Sequence, residues 1–151
     1  MSVLPPLLPY LTVSDGAGAI AFYKKAFGAV EQELHLAPGS TKVMNACLNI
    51  NGGVFMLSDD FSAQYGGQPS TPEALGGSPV TLHLQVEDVD AAWAKAVSAG
   101  GIVTMPLADQ FWGDRYGQLK DPFGHKWSMA QKKESLTREE IEEAAKTSFK
   151  M

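Results

Sequence analysis

A single cysteine, Cys47, stands among 151 residues, so the chain has no internal disulfide and no cysteine-built zinc centre. Basic residues are also scarce: 12 Lys and Arg against 17 Asp and Glu give a net charge of -5. Nucleic acid and anionic membranes require clustered cations, so neither is expected as a partner. No apolar run is long enough to span a bilayer. The nearest, Val3 to Val13, is interrupted by Pro5, Pro6 and Pro9 and lacks the basic flank of a secretion signal. A reducing cytoplasm is therefore the expected location. Disorder has no support either, with 44% apolar and 19% charged residues. The length suits one compact domain, or two small modules sharing a core.

What is present is a repeat. Leu8-Pro-Tyr-Leu-Thr-Val-Ser-Asp15 reads like Thr81-Leu-His-Leu-Gln-Val-Glu-Asp88, each a strand ending at Asp. A helical pattern follows each Asp, with Ile20, Phe22, Tyr23 and Phe27 in the first copy and Ala91, Trp93, Ala94 and Val97 in the second. Spacings of three and four residues make one buried stripe per helix. The helices stop at Gly28 and at Gly100-Gly101, as left-handed caps require. Each copy ends in a hairpin whose last strand opens at glycine, Gly53-Val-Phe-Met-Leu-Ser58 and Gly124-His-Lys-Trp-Ser-Met129. Asp15 and Asp88 are 73 residues apart and Gly53 and Gly124 are 71 apart, so four elements recur in order at nearly constant offset. That is the mark of duplication.

Module 1 is expected over about residues 7–60, module 2 over about 80–131, together one domain within residues 1–131. The connection over about 61–79, rich in Gly, Pro, Ser and Gln, reads as a lid or as a plain linker. Residues 132–151 form a charged helical tail. Its start, Thr137-Arg-Glu-Glu140, has the pattern of a capping box. The tail reads as a surface or dimer-contact appendage.

Strand alternation sorts the side chains into two faces. Leu11 and Val13, then Met44, Ala46, Leu48 and Ile50, then Leu82, Leu84 and Val86 form apolar faces that pack beneath the helices. Opposite them lie Tyr10 and Thr12, Asn45, Cys47 and Asn49, and Thr81, His83 and Gln85. The last strands add Met56 and Ser58, and Lys126, Ser128 and Ala130. A face so polar and so poor in charge suits a half-wet cavity, although a solvated sheet face is the plain alternative.

Asp15 followed by Ala19-Ile-Ala-Phe-Tyr-Lys-Lys-Ala-Phe-Gly28 resembles the opening of the vicinal oxygen chelate superfamily, which includes glyoxalase I, bleomycin-resistance proteins and extradiol dioxygenases. Asp109-Gln-Phe-Trp-Gly-Asp-Arg-Tyr-Gly117, then Asp121-Pro-Phe-Gly-His-Lys-Trp127, resembles its PhnB-like branch more narrowly. The resemblance covers residues 7 to about 131. It implies an α+β fold of two tandem βαβββ modules, forming a half-open, cupped mixed β-sheet with helices on the outside. It also implies where metal-dependent members hold two His and two Glu. Those positions here are Leu8, Met56, Thr81 and Ser128, a set that cannot make a strong site. The third strand has Asn45-Ala46-Cys47 where related sequences often have His-Ala-Glu. No metal and no cofactor are expected.

His83 is the best acid–base candidate, its unperturbed pKa lying near neutrality, but a hydrogen-bonded structural histidine is the plainer reading. His35, in an expected hairpin, and His125, on the helix-facing side, have weaker claims. Arg115 would lie opposite Ala130 if the Asp121–Gly124 turn is tight, and would then offer a guanidinium to a carboxylate or phosphate. Alternatively it pairs with Asp114 or Asp121. Trp112 either walls the pocket or packs under the tail. Cys47, without a nearby cation, is a small filler rather than a nucleophile. Gly16-Ala-Gly18 lacks a nucleotide-loop pattern and reads as a strand-to-helix turn. The expected ligand-binding set is Tyr10, Asn45, Cys47, Met56, Thr81, His83, Trp112, Arg115 and Ser128. The expected function is metal-independent binding of a small amphipathic molecule by a homodimer. A glyoxalase- or dioxygenase-like enzyme with ligands elsewhere is the alternative, and a purely dimeric interaction module is a third reading.

Overall fold

The computed structural model describes residues 3–149. Strand β1 (Tyr10–Val13) leads into helix α1 (Gly16–Phe27), then β2 (Val30–Leu36), β3 (Val43–Ile50) and β4 (Gly53–Asp59). Two short helices follow, α2 (Ser62–Tyr65) and α3 (Pro72–Leu75). The second set is β5 (Thr81–Gln85), α4 (Val89–Ser98), β6 (Ile102–Asp109), β7 (Asp114–Lys120) and β8 (Lys126–Lys132), before the final helix α5 (Arg138–Ser148). Each set builds its own open four-stranded mixed sheet, in the orders β1-β4-β3-β2 and β5-β8-β7-β6. In both, the first strand runs parallel to the last. The repeat in sequence is a repeat in topology.

Local chemistry explains the element ends. Asp15 caps α1 by accepting from the Gly18 amide at 3.0 Å, and Asp88 caps α4 through the Ala91 amide at 3.2 Å. Gly28 ends α1 at φ 68°, which a side chain would strain. In the second copy Ala99 remains helical and Gly100 takes the positive φ. The buried carboxylate of Asp59 accepts from the Gly16 amide at 2.9 Å and the Val43 amide at 2.7 Å, tying the start of α1 to the start of β3. The Thr137–Glu140 capping box is present on α5.

One hydrophobic cluster spans both modules. Helix α1 packs along α4, and Trp127 of β8 lies among Phe27, Tyr23 and Phe55, with ring centroids 4.6, 5.3 and 5.7 Å away. Asp121 is 0% exposed and makes no ion pair among the described residues. Its Oδ1 accepts from the Phe123 and His125 amides at 2.9 and 3.0 Å. Its Oδ2 accepts from Tyr23 Oη at 2.6 Å and Trp127 Nε1 at 2.9 Å. Four donors replace the lost hydration of the carboxylate. Because Tyr23 belongs to module 1, the Asp-Pro-Phe-Gly turn joins the two copies. His125 adds a second tie, from Nε2 to the Thr12 carbonyl at 2.9 Å.

Two assignments of side-chain facing are corrected. A bulge at the start of β3 pairs Leu36 with Val43 and His35 with Asn45. Val43 therefore enters the core at 1% exposure, while Met44 is 44% exposed instead of packing beneath the helices. In module 2 the β7–β8 connection is longer than a tight four-residue turn. Lys120 pairs with Lys126, so Arg115 lies opposite Gln131 and Tyr116 takes the place opposite Ala130. A one-residue slip exchanges faces.

Candidate functional site

The polar face of the second sheet carries the most organised group. His83 and Ser128 are register partners on the parallel strands β5 and β8. Ser128 Oγ lies 2.7 Å from His83 Nδ1, and Gln85 Oε1 lies 3.0 Å from Nε2. In the neutral ring this places the proton on Nε2, donated to the amide oxygen, with the serine hydroxyl donating to Nδ1. The Tyr116 ring lies alongside the imidazole, centroids 6.0 Å apart and planes 21° apart. Gln118 donates to Tyr116 Oη at 2.9 Å. Trp112 stands edge-on to Tyr116 at 5.5 Å, its Nε1 donating to Asp114 at 3.0 Å. The result is an exposed, oriented imidazole beside a wall of partly buried aromatic rings.

The first sheet presents a separate group. Asn45 donates to Tyr10 Oη at 2.9 Å and approaches Met56 Sδ at 3.5 Å. Cys47 is 1% exposed, its Sγ 3.7 Å from Gln32 Oε1. Burial, and then Glu33, raise the thiol pKa, so the thiol is a filler and not an activated nucleophile. His35 belongs to β2, facing Asn45 across the ladder and 3.6 Å from Glu33. Hydrogen bonds among the described residues join Tyr10, Asn45 and Met56, and separately His83, Ser128 and Gln85. None on these two faces crosses from one module to the other.

Arg115 stands apart from both groups. It points to the helix side, where Nε meets Asp90 of α4 at 2.9 Å and a terminal nitrogen meets Asp109 at 3.2 Å. Neither Asp114 nor Asp121 is its partner. Trp112 stands beside Tyr116 on the polar face, and the aromatic contact with the tail belongs to its neighbour Phe111, whose ring meets Phe149 beyond α5 at 5.6 Å. Tyr116, Gln118 and Lys120 were missed because facing was counted from a turn one residue too short. No local residue pattern marks the longer turn, since Trp127 lies on the helix side of β8 for either length.

The four positions at which the resemblance implies metal ligands offer few donors. Leu8 precedes β1 and carries no donor, Met56 offers only a thioether, and Thr81 only a hydroxyl. The Ser128 hydroxyl is engaged with His83. No three His, Cys, Asp or Glu among the described residues converge to hold an ion. No helix there is long and apolar enough to cross a membrane.

Comparison with known proteins agrees with this architecture. Residues 5–129 match the Glyoxalase/Bleomycin resistance protein/Dioxygenase superfamily. An uncharacterized protein of Mycobacterium bovis is 50% identical over 145 residues, covering 95% of this chain and 94% of that one. The X-ray structure of an Arabidopsis thaliana gene product superposes with a TM-score of 0.67 at 34% identity, covering 85% of this chain and 99% of that one. TioX from Micromonospora sp. ML1 superposes at 0.66 with 25% identity and the same coverage. A PhnB protein from Bacillus cereus shares the fold at 0.63 and 21% identity, covering 84% of this chain and 99% of that one.

Proposed function

The chain belongs to the glyoxalase/bleomycin resistance protein/dioxygenase superfamily, and we propose that within it this member is a metal-independent protein that sequesters or senses a small amphipathic ligand. The observation that carries this reading is the His83–Ser128–Gln85 group beside Tyr116 and Trp112. An imidazole oriented by two neutral partners and flanked by aromatic rings suits recognition of a ring-bearing molecule with polar substituents. The four positions that resemble a metal site hold a leucine, a methionine and two hydroxyls, which supports binding without a metal. Tyr10, Asn45, Cys47 and Met56 would line a second wall. Thr81 would extend the first. Arg115 is left out of the site.

We further propose a homodimer in the cytoplasm. Val3, Leu7 and Val80 are 95%, 90% and 62% exposed. Leu7 and Val80 border a groove of ≈ 570 Å³ between the two modules, with Tyr10 and His125, and such apolar exposure favours a partner surface.

A thermal-shift screen of aromatic and anionic molecules, run beside metal analysis of the purified protein, tests the reading. A ligand at 100 times its Kd should stabilise the fold by about 2.7 kcal/mol. His83→Ala and Tyr116→Ala should each weaken such a hit by about tenfold, the order of one lost charge-free polar or stacking contact. Stoichiometric zinc, nickel, iron or manganese with marked stabilisation would defeat the metal-free reading. Unchanged affinity in both variants would defeat the site.

A further inference from the structure

Every described lysine is exposed except two, Lys120 and Lys126, which are partly buried. These two are direct cross-strand partners at the turn end of β7 and β8. Alternation places them on the polar face, since their neighbours Leu119 and Trp127 are buried on the helix side at 0% and 2% exposure. Like charges placed directly opposite each other destabilise a sheet, and partial burial raises that cost. Lys24, Lys146, Arg115 and Arg138 each have a carboxylate partner. Among the described residues Lys25, Lys42, Lys95, Lys132 and Lys133 have none but are exposed, whereas Lys120 and Lys126 lack one while partly buried. The nearest acid in sequence, Asp121, spends its carboxylate on four donors of the core. In a chain with a net charge of -5, two partly buried lysines stand as direct cross-strand neighbours, and among the described residues neither has an acid paired to it.

We propose that Lys120 and Lys126 form an anion subsite, and that the ligand of this face is an aromatic acid: a planar ring bearing a carboxylate, sulfonate or phosphate. The proposal rests on the second sheet's polar face being the binding face, and names the class of molecule that it takes. Registers supply the geometry. Thr81 pairs with Lys126 and adds a hydroxyl donor to the lysine row. The next row along the same face is Gln118, Ser128 and His83, and the one after it contains Tyr116, Ala130 and Gln85. Two residues along a strand span about 6.6–6.8 Å, so an acid group at the lysines leaves its ring against His83 and Tyr116. Both ammonium groups then gain the counter-charge that the protein withholds. Each makes a charge-assisted hydrogen bond, and the like-charge cost is relieved only when the ligand is bound.

Two probes of equal shape test this on the full chain: 2-naphthoate and its neutral counterpart 2-naphthamide, titrated by calorimetry and by NMR. The naphthoate should bind about tenfold more tightly or better, as one charge-assisted contact implies, and its advantage should shrink with added salt. Lys120→Gln and Lys126→Gln should each reduce that advantage, and the double variant should abolish it. Lys133→Gln, an exposed control, should leave it intact. Equal binding of the two probes to the native protein, or an advantage that survives in the double variant, overturns the anion subsite while leaving the binding face standing. Absence of binding by either probe up to about 10 mM, weaker than any affinity of use in a cell, overturns both. A ligand-free measurement stands beside these. Lys126→Gln should raise Tm at low ionic strength, and the gain should fade at high salt. A lowered Tm would mean that the protein itself satisfies the ammonium, and would overturn the proposal.

Discussion

Asp121 and Tyr23 form the tightest polar contact of the core, 2.6 Å between oxygens. Burial, then the negative charge and hydrogen bond of Asp121, push the Tyr23 phenol far above its ordinary value of 10.0. The folded state therefore holds the neutral phenol, while the unfolded chain releases the proton near the ordinary pKa. The stability so contributed is complete below about pH 10 and falls as pH rises above it. Alkaline unfolding monitored by circular dichroism should begin there, and Tyr23→Phe should flatten that fall. At neutral pH the same variant should lose about 1.5–3 kcal/mol, the range for a hydrogen bond to a charged group, by urea denaturation. Arg115 makes the opposite kind of prediction. Its partners Asp90 and Asp109 are 59% and 76% exposed, so Arg115→Ala should cost no more than about 1 kcal/mol. It should also leave the affinity of any ligand of the polar face unchanged in calorimetry, because the side chain lies on the other side of the sheet. A substantial loss of affinity would show that the register of β7 is wrong.

At the scale of elements, the contact of α4 with its sheet depends on a missing side chain. A Cβ on Gly117 of β7 would stand 2.8 Å from the Trp93 ring and 3.0 Å from the Leu107 Cα. Neither can retreat easily, since Trp93 is packed against the core and Leu107 Cα is backbone. Gly117→Ala should therefore destabilise the protein by about 1–3 kcal/mol, the range for overpacking, measured as a lowered denaturation midpoint. Trp93→Ala should reduce the cost of Gly117→Ala in a double-mutant cycle without abolishing it, because the Leu107 backbone contact remains. The bulge at Met44 and the longer β7–β8 connection are element-scale features as well. Both change which residue faces the core, and neither has a local residue pattern strong enough to announce it.

For the whole molecule, the question is whether two copies of one module behave as two units. Trp127 sits among Tyr23, Phe27 and Phe55 of the other module, and the hydrophobic cluster is continuous across the seam. The chain should unfold in one transition, with tryptophan fluorescence and circular dichroism coincident. Trp127→Ala should remove about 3–5 kcal/mol, the usual cost of a deleted core aromatic, and loosen both copies together. Separate transitions would show that the seam contributes little.

The duplication, the two strand–helix–strands modules and the α+β fold were legible in the sequence, because helix and strand periodicity and the Asp and Gly caps are local signals that recur at fixed offsets. So was the polar character of one face of each sheet, including the places of His83 and Ser128. The third dimension alone determined the contacts between residues distant in the chain. Asp121 accepts from Tyr23, 98 residues earlier, and the Trp127 ring fills the space between modules. It also decided register: one residue more in the β7–β8 connection sent Arg115 to the helix side and brought Tyr116, Gln118 and Lys120 to the face beside His83. Composition and spacing are blind to such a slip, since the residues are the same in either register and only strand pairing tells which side each one takes.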